Sequence, residues 1–141
     1  MISINSKQME AIFNHGKEGY PHEVCGIILG ACSGHTKKAV EIRKAGNLNT
    51  DRAHDRYEMD PKDLLAAERE AKEMGIEVVG FYHTHPDHPA APSEFDRQRA
   101  WPMYSYLIIS VREGEDVSVR SWQLNDETEK FEEEKILGES E

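Results

Sequence analysis

The stretch GFYHTHPDHPAAPSEFD, from Gly80 to Asp96, concentrates three of the seven histidines, one serine and three acidic side chains. His83 and His85 lie two apart at the end of the apolar run IEVVGFYH. On a β-strand such residues point to one face, so their ring nitrogens converge from a rigid element. Pro86 cannot donate to a sheet ladder and ends that strand. DHPAAP reads as a loop. SEFD reads as a helix start, with Ser93 as N-cap and Asp96 at the third helical position. Taken singly, each residue has a plain reading: a polar histidine at a strand end, a capping serine, an acid facing a helix N-terminus. Taken together, two histidines and a carboxylate returned by the loop supply three ligands for a metal. Zinc accepts His nitrogen and Asp oxygen, and a catalytic zinc keeps three protein ligands and one position for water. A structural zinc would need a fourth, for which His88 and Asp87 are the outside candidates. Hydrolysis also needs a proton acceptor that is not a ligand. Glu94, the only glutamate of the stretch, leaves the helix at its first position and need not share the direction of Asp96. The rest of the chain is left to supply the base.

The elements around this stretch are legible from periodicity. SINSKQMEAIFNHGKEG places Met9, Ile12, Phe13 and Ile4 near one helix face, behind Asn5 or Ser6 as cap. EVCGIILG is a buried strand closing on Gly30, KKAVEIRKAGN a half-exposed strand, and RYEMD a further short strand. DPKDLLAAEREAKEMG is the clearest helix. Asp60 is its N-cap, Pro61 its first residue, Gly75 lies just past its end, and Leu64, Leu65, Ala67, Ala71 and Met74 form its apolar stripe. YSYLIISV is a buried strand and DVSVRSWQL an edge strand or hairpin arm. The mixed order predicts an α/β domain with a central mixed β-sheet flanked by helices.

The 141 residues are the length of one domain, large enough to bury a core without disulfides. Cys25 and Cys32 are too few for a disulfide framework or a four-cysteine zinc site, and Cys25 reads as a buried structural thiol. The formal net charge of −10 disfavours nucleic-acid binding. No signal-peptide pattern opens the chain and no apolar run has the length of a membrane span, so a cytoplasmic location is expected. The acidic run from residue 125 to 141 reads as a solvated tail or terminal helix following a domain of residues 1–124.

HTHPDHPAAPSEFD resembles the signature of the JAMM (MPN+) metallopeptidases: His83, Thr84, His85, seven residues to Pro92, Ser93, two residues, Asp96. YPHEVCGIILG resembles the family's upstream glutamate segment and places that glutamate at Glu23. The resemblance spans Ile2 to Leu124 and shares a core with cytidine deaminases. It implies that His83, His85 and Asp96 bind zinc, that Glu23 is the general base, and that Ser93 donates to the oxyanion. It further implies cleavage of a peptide or isopeptide bond after the C-terminal Gly-Gly of a ubiquitin-like protein. The short chain is similar to small prokaryotic members, and a sulfur-carrier protein is the expected substrate by that analogy. Deconjugation of a ubiquitin-like modifier is the alternative. A noncatalytic scaffold is the reading from another class. A nucleobase deaminase would need His-x-Glu and Pro-Cys-x-x-Cys, which the cysteines here do not provide. A homo-oligomer is compatible with the sequence.

Overall fold

A run of apolar strands that alternate their buried faces has to curl or be covered, and here both happen. The computed structural model describes residues 1–139. In chain order the elements are β1 (Ile2–Asn5), α1 (Ser6–Gly19), β2 (Cys25–Ser33), β3 (Thr36–Ala45), α2 (Pro61–Glu73) and β4 (Glu77–Pro86). They continue with α3 (Glu94–Arg99), β5 (Ser105–Arg112), β6 (Asp116–Leu124), β7 (Phe131–Glu134) and β8 (Ile136–Glu139). All eight strands join one sheet in the order β7-β6-β5-β4-β2-β3-β1-β8. The β4–β5, β1–β3 and β1–β8 pairs are parallel and the others antiparallel, so the sheet is mixed as expected.

The two outermost strands, β7 and β8, are consecutive, with only Lys135 between them. One residue spans a few ångströms. The sheet therefore curls until its edges meet, and the Ile2 N–H donates to the Lys135 carbonyl across the join (3.0 Å). One face of the sheet is covered by α1, whose Ile12 shares a core with Ile2, Ile4, Ile28, Tyr82, Leu107 and Ile109. The other face carries α2, whose Ala67 and Ala71 pack on Ile27 and Leu29. Successive residues Ile27, Ile28 and Leu29 thus serve opposite cores, as the two-residue period of a strand demands. Two glycines set the spacing. A Cβ on Gly16 would stand 2.9 Å from Thr84 Cγ2, and one on Gly26 only 2.0 Å from the Tyr82 ring.

Several expectations are corrected. The run from residue 125 is neither a solvated tail nor a helix, since β7 and β8 close the sheet. Three of its acids have partners. Glu133 meets Arg120, Glu134 accepts from Ser121 Oγ (2.7 Å), and Glu132 accepts from Asn125 (2.7 Å). Residues 140 and 141 of that run lie outside the described residues. β2 continues past Gly30 to Ser33, with a register shift at Leu29/Gly30. RYEMD forms no strand, only an isolated bridge between Asn47 and Met59. Leu65 and Met74 are half exposed, so the buried stripe of α2 is narrower than its apolar composition suggested. The caps at Asn5, Asp60 and Ser93 form as read.

Candidate functional site

His83 and His85 leave the same face of β4, which is held between β2 and β5 (Cys25↔His83, His83↔Ile108, His85↔Ser110). Thr84 points the other way and packs its methyl on Gly16. Its Oγ1 accepts from the Val24 N–H (2.9 Å), and its own N–H donates to the Val24 carbonyl (3.0 Å). Those two bonds fix the segment that carries Glu23. The Nε2 atoms of His83 and His85 stand 3.2 Å apart. Asp96, in the first turn of α3, places Oδ1 3.3 Å from His83 Nε2 and Oδ2 3.1 Å from His85 Nε2. One ligand atom each from Glu23, His83 and His85 lie within 4.8 Å of one another. All five residues singled out in the sequence thus come together, counting Ser93, which caps the helix of Asp96.

Ser93 keeps both duties open. Its Oγ accepts from the Asp96 N–H (3.0 Å) and its N–H donates to Asp96 Oδ2 (2.9 Å). A hydroxyl that accepts still has its own proton to donate. Ser93 lines a cavity of about 270 Å³ together with Glu23, Asp55, His85 and His88. A second groove of about 240 Å³ begins at Tyr57, which stacks on His83, and is also lined by Met59, Leu64, Phe81, Arg99, Trp101 and Tyr106.

The donor set fits a cation. His85 Nδ1 faces the Pro89 carbonyl at 3.0 Å, which orients the ring and turns Nε2 inward toward Asp96 and His83. His83 is fully buried, and burial lowers its pKa, favouring the neutral ring that ligates. Among the described residues its Nδ1 has no hydrogen-bond partner. Burial opposes ionisation of Asp96, but the hydrogen bonds from His83 and His85 outweigh it and hold the carboxyl well below the usual carboxylate range. Burial also works against the charged form of His85, yet Asp96 leaves its pKa raised. Glu23 behaves oppositely to Asp96: burial pushes its carboxyl up to about 8.

Sequence reading missed the loop that holds this arrangement. Asn47 uses both amide donors and both acceptor positions. Nδ2 donates to the carbonyls of Glu23 (3.1 Å) and Arg56 (3.2 Å), and Oδ1 accepts from the N–H groups of Asn49 and Glu58 (2.9 Å each). The Glu23 N–H donates to the Ala53 carbonyl (2.5 Å). Both backbone groups of Glu23 are therefore bonded to loop 47–59 and not to a sheet neighbour. The same loop stacks Tyr57 on His83, with ring centroids 4.5 Å apart. The only available sequence signal was an asparagine closing a strand, which is common in turns.

The outside candidates resolve differently. Asp87 accepts from Tyr20 OH (2.5 Å) and from the Glu113 N–H (2.8 Å), so it staples the end of α1 to the β5–β6 turn and is no ligand. His88 lines the Glu23 cavity but does not join the converging donors. Cys25 is buried, and burial pushes its thiol up to about 12, consistent with a packing role.

Residues 5–125 match the family model of prokaryotic homologs of the JAB domain. A desampylase of Haloferax volcanii is 35% identical over 116 residues, covering 77% of this chain and 80% of the relative. A desampylase of Pyrococcus furiosus is 34% identical over 117 residues, covering 82% and 75%. The solution structure of a protein from Desulfitobacterium hafniense superimposes with a TM-score of 0.88 at 32% identity, over 100% of this chain and 94% of that one. With the His-x-His strand, the Ser93–Asp96 helix start and this match over nearly the whole chain, the protein belongs to the prokaryotic homologs of the JAB domain, as a small JAMM/MPN-type member.

Proposed function

We propose that the chain is a zinc-dependent isopeptidase that hydrolyses the bond following the C-terminal Gly-Gly of a ubiquitin-like protein. The observation that carries this is the convergence of His83, His85 and Asp96 at 3.1–3.3 Å with the buried Glu23 beside them. His83, His85 and Asp96 would hold the zinc. When bound, zinc supplies Lewis acidity to the scissile carbonyl and lowers the pKa of water. The two carboxylates divide the remaining work by environment. Asp96, held ionised by two imidazoles, suits a permanent ligand. Glu23, whose carboxyl burial lifts from the ordinary carboxylate range toward neutrality, suits a group that in its ionised form takes a proton from water and then passes it to the leaving amine. Ser93 Oγ, with its proton free, donates to the oxyanion that develops on the carbonyl.

The leaving group distinguishes two substrates. A sulfur-carrier protein would lose a C-terminal residue or extension, and a conjugated modifier would be released from a lysine side chain. The similarity to two desampylases favours deconjugation. The test is metal analysis of the purified protein, then incubation with a Gly-Gly-terminated ubiquitin-like protein carrying either a C-terminal extension or an isopeptide-linked lysine. One zinc per chain and EDTA-sensitive cleavage are expected. Zinc-loaded protein that cleaves neither substrate sinks the proposal, and the noncatalytic scaffold then stands.

A further inference from the structure

Phe95 follows Ser93 by two residues and precedes Asp96. Its ring carries two guanidinium groups, with Arg56 Cζ 4.5 Å and Arg99 Cζ 5.0 Å from the centroid. Arg56 adjoins Tyr57, which stacks on His83, and Arg99 lines the groove with Tyr57, Phe81 and Trp101. Both cations thus stand at the rim of the proposed zinc site. Among the described residues neither has a carboxylate at ion-pair distance, whereas Arg43, Arg52, Arg97 and Arg120 each do. In a chain of net charge −10, two guanidinium groups sharing one ring make a local cationic patch whose N–H edges an anionic ligand would meet. A planar guanidinium stacked on an aromatic ring keeps its N–H edge free for a carboxylate.

The direction of the substrate follows from the chemistry of Glu23. The leaving amine takes its proton from Glu23, so the leaving segment lies in the cavity that Glu23 shares with Asp55 and His88. The acyl segment departs away from that cavity, and the groove that begins at Tyr57, stacked on His83, is open to it. We propose that this groove receives the substrate tail preceding the terminal glycines, and that Arg56 and Arg99 select tails with an acidic side chain there. The assignment rests on the isopeptidase reading and adds to it a specificity for acidic over basic tails.

The test uses zinc-loaded full-length chain and three internally quenched peptides. They share one leaving segment and differ only in the residue preceding Gly-Gly: Glu, Gln or Arg. The expected order of kcat/KM is Glu, Gln, Arg, with a Glu-to-Arg ratio of about tenfold at low salt. The ratio shrinks toward one at about 0.5 M NaCl, where the screening length falls to a few ångströms. In the R56E/R99E double variant the order inverts, and because the ratio is taken within one protein, a general loss of activity cancels. Fluorescence anisotropy of the labelled Glu- and Arg-tail product peptides gives the same order without turnover. Equal kcat/KM and equal binding for all three tails overturn the charge selection and leave the isopeptidase reading intact. Failure to cleave any peptide or the Gly-Gly fusion protein overturns that reading, and the tail assignment falls with it.

Discussion

Glu23 and Asp96 are both buried carboxylates close to His85, yet their environments drive them apart: desolvation keeps the proton on one, and two imidazoles strip it from the other. Exchanging Glu23 for Gln keeps the shape and removes the proposed proton acceptor. E23Q is expected to bind zinc stoichiometrically while kcat falls by about 10²- to 10⁴-fold, measured by metal analysis and steady-state kinetics on one preparation. Unchanged turnover would assign the proton transfer elsewhere. The same carboxyl makes a prediction for metal-free protein. Its folded pKa of about 8 lies above the unfolded value, so its contribution is fully present in acid and is lost as pH rises toward 8. In EDTA, E23Q should melt at the same temperature as wild type near pH 4.5 and several degrees higher at pH 8.5, a gap of a few kcal/mol at most. A melting-temperature difference that is flat across this range would show that burial does not hold the proton on Glu23. At this scale the sequence was informative about residue identity, because histidines two apart on a strand share a face whatever surrounds them. It was silent on the environment of Glu23, which rests on atoms from Ala53, Asn47 and Thr84.

Loop 47–59 is the element that holds Glu23 beside the histidines of β4. Asn47 does two jobs within a single side chain: its oxygen and one N–H fold the loop on itself at Asn49, Glu58 and Arg56, and its second N–H ties the loop to Glu23. N47D retains the acceptor and loses the donor. Its kcat is expected to fall about ten- to 100-fold with zinc content unchanged and melting temperature lowered by only a few degrees. N47A loses both and should melt lower still. A loss confined to KM in N47D would indicate that the donor serves substrate binding and not the placement of Glu23. Helices and buried strands were readable in the sequence since capping and periodicity are local. This loop was misread as a strand at RYEMD because its bonding reaches across 9 to 24 residues (Asn47 to Arg56, Asn47 to Glu23).

For the whole molecule, the decisive feature is a sheet whose first and last strands meet at Lys135. Removing the chain after Leu124 strips β7 from β6 and β8 from β1, baring two strand edges and uncovering the core beside Ile136. The truncated protein is expected to melt more than about 10 °C lower than the full chain, or to lose cooperative unfolding, as read by circular dichroism. A truncation that melts like the full chain would restore the view of residues 125–141 as a dispensable tail. Composition misjudged this region for a physical reason. FEEE is charged enough to look solvated, but Arg120, Ser121 and Asn125 stand across the strand to pair with its acids, and that register exists only once β6 is in place. By itself, then, the sequence determined the α/β class, the caps, and the ligand-type residues with their strand and helix start, because each depends on neighbours within one or two turns of chain. Only the tertiary structure decided that Glu23 is buried beside His85, that Asn47 holds it there, that Arg56 and Arg99 share Phe95, and that the acidic end closes the sheet. Apart from Arg99, which lies one turn from Phe95 on α3, each of those depends on a contact between segments far apart in the chain, and no local pattern encodes it.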